Sequence, residues 1–138
     1  RDYYASRGLG DVYKRQLNGD RQKATKAAIS LADSVENACL IVFTRRGLAA
    51  TQAAVLRPER AAIFAFSNDP VVVRQLALAR DVTAFESPFL KDPARMISTA
   101  LDLLKEKGLI SSGQPVVIQG DSLQGELLAD SIIFMRVE

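Results

Sequence analysis

Apolar residues along the chain alternate between helical spacing and short continuous runs. In the segment Arg21–Glu36, apolar positions recur three and four residues apart, which predicts a helix with a narrow, Ala-rich apolar face ending near Asn37. The run Ala38–Phe43 shows no alternation and is typical of a strand covered on both faces. Further strands are predicted at Ala61–Phe66, Val82–Phe85, Pro115–Gln119 and Ser131–Val137.

Helices are predicted between these strands. One covers Leu48–Leu56, a second begins at Pro70 with Asp69 as its N-cap, and a third runs from Asp92-Pro93 to Gly108. Strands joined by helices favour parallel crossovers, whereas residues 120–130 show no convincing helix, so the last strand is predicted to be antiparallel to the fourth. The predicted fold is an α/β three-layer sandwich, with a five-stranded, mostly parallel sheet and helices on both faces.

The net charge of +2 belongs to the first 16 of the 138 residues, because acidic and basic residues balance in the remainder. All three Tyr also lie there, and the string GDVYKRQ resembles a translated sequencing adaptor. We therefore expect residues 1–16 to be an artefactual or disordered tail and residues 17–138 to be the domain. A neutral body without Tyr or Trp also argues against nucleic acid as a partner.

Composition excludes several kinds of chemistry. The chain has no His, which removes Ser-His and Cys-His nucleophile pairs and any zinc site built on imidazole. Its single cysteine, Cys39, is expected to be a packed core thiol, as Met96 and Met135 are expected to fill the core. The lack of a disulfide favours a cytoplasmic location, and no apolar run reaches the roughly 20 residues that span a membrane.

The candidate site lies at the carboxyl ends of the strands, where open α/β sheets bind ligands. Three loops meet this description: Thr44–Gly47, Ser67–Asp69 and Gly120–Gly125. In the first, Gly47 tolerates an unusual backbone angle, the following helix offers free N–H groups, Thr44 adds a hydroxyl, and Arg45 and Arg46 add positive charge. These features predict a phosphate or carboxylate site, although paired arginines in a polar turn often only face solvent. Gly120 and Gly125 complete the candidate set from the last loop.

The stretch from about Gln22 to Val137 resembles the C-terminal domain of pyruvate kinase. A helix with Ala28, Leu31 and Ala32 precedes VFTRRGLAA, which is similar to the family's VxTxSGRTA. The other matching features follow in the same order: Arg57-Pro58 like its YRP, the strand and RQL helix of Ala62–Leu78, the helix Ala100–Gly108, the GDxVVxxxG-like Gly113–Gly120 and the closing strand Ile132–Val137.

This resemblance implies a regulatory and oligomerisation domain without catalytic residues. In pyruvate kinases, phosphoryl transfer from phosphoenolpyruvate to ADP, with magnesium and potassium, takes place in a separate barrel domain. The present chain is then a fragment that is inactive alone and holds no cofactor or metal. Its expected partners are its own copies, a tetramer in the parent enzyme, and a phosphorylated effector.

The sequence departs from the effector pattern of that family. Arg46-Gly47-Leu48-Ala49 stands where the family has Ser-Gly-Arg-Thr, and Asp121, Glu126 and Asp130 place three carboxylates in the last loop. Because like charges repel, we expect sugar-bisphosphate binding to be weak or absent, while a single phosphate on Thr44 and Gly47 stays open. Two alternatives also remain: a stand-alone small-molecule or anion-binding module of the same fold, and a small enzyme using Thr44, Asp69 and Asp121. The genomic sequence upstream of Leu17 would separate a barrel-bearing enzyme from a stand-alone module.

Overall fold

The computed structural model describes residues 19–45, 47–79, 81–120 and 131–138. The predicted tail, residues 1–16, lies outside the described residues and so stays a prediction. Helix α1 covers residues 19–34 of the described chain, two residues short of the predicted end. The remaining elements are β1 (Cys39–Phe43), α2 (Leu48–Leu56), β2 (Ala62–Ser67), α3 (Pro70–Leu76), β3 (Val82–Glu86), α4 (Pro93–Glu106), β4 (Pro115–Gly120) and β5 (Ser131–Arg136).

The five strands form one sheet in the order β3-β2-β1-β4-β5. The first four are parallel, and Leu40 at the centre pairs with Ile63 on one side and Val117 on the other. β5 runs antiparallel to β4, with Val117 opposite Phe134. This topology confirms the predicted fold class, including the orientation of the last strand.

Two apolar clusters cover the two faces of the sheet. On one face, α4 is the helix of the described residues that packs against β1, β2 and β4, and its Met96 and Leu104 are fully buried. On the other face, α1 and α2 contribute mainly small side chains, among them Ala28, Ala50 and Ala53, whereas α3 contributes Val72 and Leu76. Because the Ala side chain is small, helices that bury it can pack close to the sheet. Both faces of the central strands are therefore buried, which accounts for their continuous apolar runs.

Local signals place the ends of several helices. Asp69 and Asp92 accept hydrogen bonds from Val71 N–H at 2.9 Å and Ala94 N–H at 3.0 Å, and each precedes a proline at the start of its helix. Both N-caps confirm the sequence predictions. After α1 and α4, Asn37 and Gly108 adopt φ angles of +63° and +73°, the left-handed conformation that ends a helix.

Four residues show which side chains fill the core and which stay outside it. Cys39 is buried, and desolvation raises the pKa of its thiol to about 12, which agrees with an inert core residue. Met96 fills the core and Met135 packs against the same cluster, whereas Phe134 stays 45% exposed on the opposite face of β5.

Among the residues that the structure describes, no helix has the length and apolar character needed to cross a membrane.

Candidate functional site

The turn after β1 is closed by its own side chains. Thr44 N–H continues the sheet pairing by donating to the Phe66 carbonyl at 2.9 Å, and Thr44 Oγ1 accepts from Gly47 N–H at 2.8 Å. The Gly47 carbonyl then accepts from both the amide and the hydroxyl of Thr51. Thr44 is only 1% exposed. Its hydroxyl is therefore part of the turn, and the Gly47 amide is occupied as well.

Gly47 is required by two independent features of this turn. Its φ of +85° lies in the left-handed region, where a Cβ atom causes strain. A Cβ placed there would also lie 3.2 Å from Val72 Cγ1 and 3.5 Å from Leu76 Cδ2, so α3 packs directly against the glycine. The sequence predicted the backbone angle, but the contact with α3 depends on the tertiary structure.

The start of α2 differs chemically from the starts of α3 and α4. Its N-cap residue is Gly47 and no side chain caps it, whereas the carboxylates of Asp69 and Asp92 cap α3 and α4. The amides of residues 48–50 have no partner within the helix, because the first N–H groups of any α-helix lack one. These amides and the positive end of the helix dipole can bind an anion.

Arg45 is held on the other side of the turn. Its guanidinium carbon lies 5.9 Å from the centre of the Phe89 ring, in the connection between β3 and α4. Phe89 in turn packs edge-on against Phe43, with ring centres 6.4 Å apart. This cation–π contact positions the charge of Arg45 beside the carboxyl edge of the sheet. Arg46 lies outside the described residues.

The loop after β2 uses its polar groups for structure. The Ser67 carbonyl accepts from Ser87 N–H at 2.9 Å, and Ser67 Oγ accepts from Asp69 N–H at 3.2 Å. Asp69 caps α3 through its carboxylate. This role accounts for Asp69 without catalysis and gives no support to the small-enzyme alternative.

The end of β4 contains a polar residue that sequence reasoning missed. Gln119 is fully buried, and its Nε2 donates to Thr25 Oγ1 at 2.8 Å, while Thr25 donates to the Arg21 carbonyl. The available signal was a single polar residue in an otherwise apolar strand. Gly120 pairs with Phe43 and Ser131 at the same edge. Gly125 and the three carboxylates of the last loop lie outside the described residues.

A profile of the family described as pyruvate kinase, alpha/beta domain, matches residues 22–130, which is most of the chain. The chain belongs to the pyruvate kinase alpha/beta domain family. A chloroplastic pyruvate kinase isozyme A of Nicotiana tabacum is 30% identical over 103 residues, covering 75% of this chain and 17% of that protein. The pyruvate kinase of Eimeria tenella is 32% identical over 99 residues, covering 71% and 18%.

Solved pyruvate kinases share the fold of this domain. A Cryptosporidium parvum pyruvate kinase in complex with ADP superposes with a TM-score of 0.76 at 25% identity, covering 86% of this chain and 24% of that one. A second structure of a pyruvate kinase from the same organism gives a TM-score of 0.71 at 27% identity, covering 86% and 23%. This chain thus spans about a fifth of the length of the pyruvate kinases that it matches.

The described part of this pyruvate kinase domain contains no cluster of side chains suited to binding a metal ion. No group of three or more His, Cys, Asp or Glu side chains there is arranged to hold a metal ion.

Proposed function

We propose that this chain serves as the C-terminal regulatory and oligomerisation domain of a pyruvate kinase. The family match over residues 22–130 and the small share of each relative that the chain covers support this proposal. Under it, phosphoryl transfer from phosphoenolpyruvate to ADP belongs to a barrel domain of the parent enzyme, together with magnesium and potassium. The 138-residue chain alone is then expected to be inactive. The proposed location is the cytoplasm, although the tobacco relative is a chloroplast protein.

The observation that carries the regulatory part is the uncapped start of α2 beside Gly47. Three backbone amides and a helix dipole at the carboxyl edge of a parallel sheet favour an anion there. The site is proposed to bind a single phosphate group, as part of a phosphorylated effector.

Sugar-bisphosphate binding is proposed to be weak or absent at this site. Arg46, Leu48 and Ala49 stand where the family pattern has Ser, Arg and Thr, so two hydroxyls and one guanidinium are missing. The Thr44 hydroxyl does not replace them, because the side chain is buried within the turn. Among the described residues of the turn, Arg45 supplies a positive charge, and its guanidinium lies over the Phe89 ring.

Calorimetric titration tests this proposal directly. The chain is titrated separately with fructose 1,6-bisphosphate and with inorganic phosphate, and the double variant Arg46→Ser/Leu48→Arg is titrated in parallel. Ala49 is left unchanged because it is only 2% exposed and a threonine would crowd the core. We expect millimolar or weaker bisphosphate binding by the natural sequence and at least about tenfold tighter binding by the double variant, a gain of about 1.4 kcal/mol.

Two outcomes would contradict the proposal. Micromolar affinity of the natural sequence for fructose 1,6-bisphosphate would show that the altered turn still forms a full effector site. A failure of both proteins to bind either ligand, with unchanged thermal stability, would show that the start of α2 does not bind anions.

The oligomerisation part of the proposal places the interface on β5. This strand is the end of the sheet, so its outer edge has backbone N–H and C=O groups with no strand partner among the described residues. It contains no proline, pairs with β4 without a bulge, and exposes Ile132 and Phe134, while its one charged residue, Arg136, is at the end of the strand and donates to the Gly113 carbonyl. Edge strands that stay unpaired are normally protected by charge, proline or a bulge. The other edge, β3, exposes Thr83 and Glu86 instead, and is the less suitable surface.

A second copy of the chain is the proposed partner of β5. Antiparallel pairing of two β5 strands would extend the sheet across a two-fold axis and satisfy the free backbone groups of both strands. The same pairing would bring the exposed apolar side chains of both copies together and remove them from water.

A further inference from the structure

We draw no further inference here: the strongest candidate, the groove of about 420 Å³ between α4 and β5 that Leu101 and Met135 line, carries nothing because nothing in the described residues shows what covers it.

Discussion

Asp33 shows how one side chain joins two parts of the fold. Its carboxylate accepts from the backbone N–H groups of Glu59 at 2.8 Å and of Arg60 and Ala61 at 3.1 Å, which fixes the turn before β2 against α1. Burial raises the pKa of this carboxyl group, but the three hydrogen bonds and the positive charge of Arg60 outweigh it and hold the pKa below its ordinary value. The ionised form is therefore the one that stabilises the native state.

Replacing Asp33 with Asn should destabilise the domain by about 1 kcal/mol at neutral pH, because an amide accepts these bonds less strongly and has no charge. A carboxyl group whose pKa is lower in the folded state stabilises the fold above its unfolded pKa of about 4, and this contribution disappears as the pH falls through the folded pKa. The difference in unfolding free energy between the natural sequence and the variant should thus shrink in acid.

Urea unfolding measured across this pH range, with Asp102→Asn on the exposed face of α4 as control, tests both statements. Equal stability of D33N and the natural sequence at neutral pH would contradict them.

Gly47 allows the strain of its backbone to be separated from its contact with α3. Gly47→Ala and Gly108→Ala both place a Cβ on a residue with positive φ, but only the first meets a neighbour, Val72 Cγ1 at 3.2 Å. We expect G108A to cost about 1 kcal/mol from strain alone, and G47A to cost more. Chemical denaturation of both variants provides the comparison. Equal losses would mean that α3 moves aside without cost.

At the scale of elements, α4 is the one helix of the described chain that packs on its face of the sheet. Its 14 residues bury five side chains, Met96, Ile97, Ala100, Leu101 and Leu104, and Asp92 caps its start. On the opposite face, the helices α1, α2 and α3 pack against the sheet. Within the part of the chain that the structure describes, a defect in α4 therefore has no neighbouring helix on its face to compensate for it.

Leu104→Ala should be among the more damaging single truncations, because Leu104 is fully buried between α4 and the sheet. We expect a loss of about 2–5 kcal/mol, from lost burial and the cavity left behind. Leu109→Ala removes the same atoms from a side chain that is 41% exposed and should cost about 1 kcal/mol or less. Thermal unfolding of the two variants measures the difference, and losses of similar size would show that the helix relaxes into the cavity.

At the scale of the whole molecule, the two edges of the sheet predict how copies associate. If β5 pairs with a second copy, Phe134→Glu should convert a dimer into a monomer, because it places like charges on both strands of the new pair. Thr83→Glu adds the same charge to the exposed edge strand β3 and should leave the dimer intact. Sedimentation equilibrium at several protein concentrations distinguishes these results. A natural chain that is monomeric throughout, or a dimer that survives F134E but not T83E, would exclude β5 as the interface.

The amino-acid sequence by itself determined the fold class of this protein. Continuous apolar runs such as Cys39–Phe43 require burial on both faces, Asp69-Pro70 and Asp92-Pro93 start helices through contacts two residues away, and Gly47 marks a turn. The antiparallel β5 followed from the same reasoning, since its connection shows no helix pattern. These signals are local, and local chemistry is readable from neighbouring residues.

Only the tertiary structure decided the strand order, and which polar groups of the candidate site are buried or already bonded to a neighbour. The burial of Thr44, the placement of Arg45 on Phe89, and the bond from Gln119 to Thr25, 94 residues away, each depend on which distant segments meet. A sequence pattern states that a residue is polar, but it does not state whether its hydroxyl or charge is already used by a neighbour. For Thr44 the structure supplies this information: its hydroxyl oxygen accepts from the Gly47 amide, and the side chain is buried.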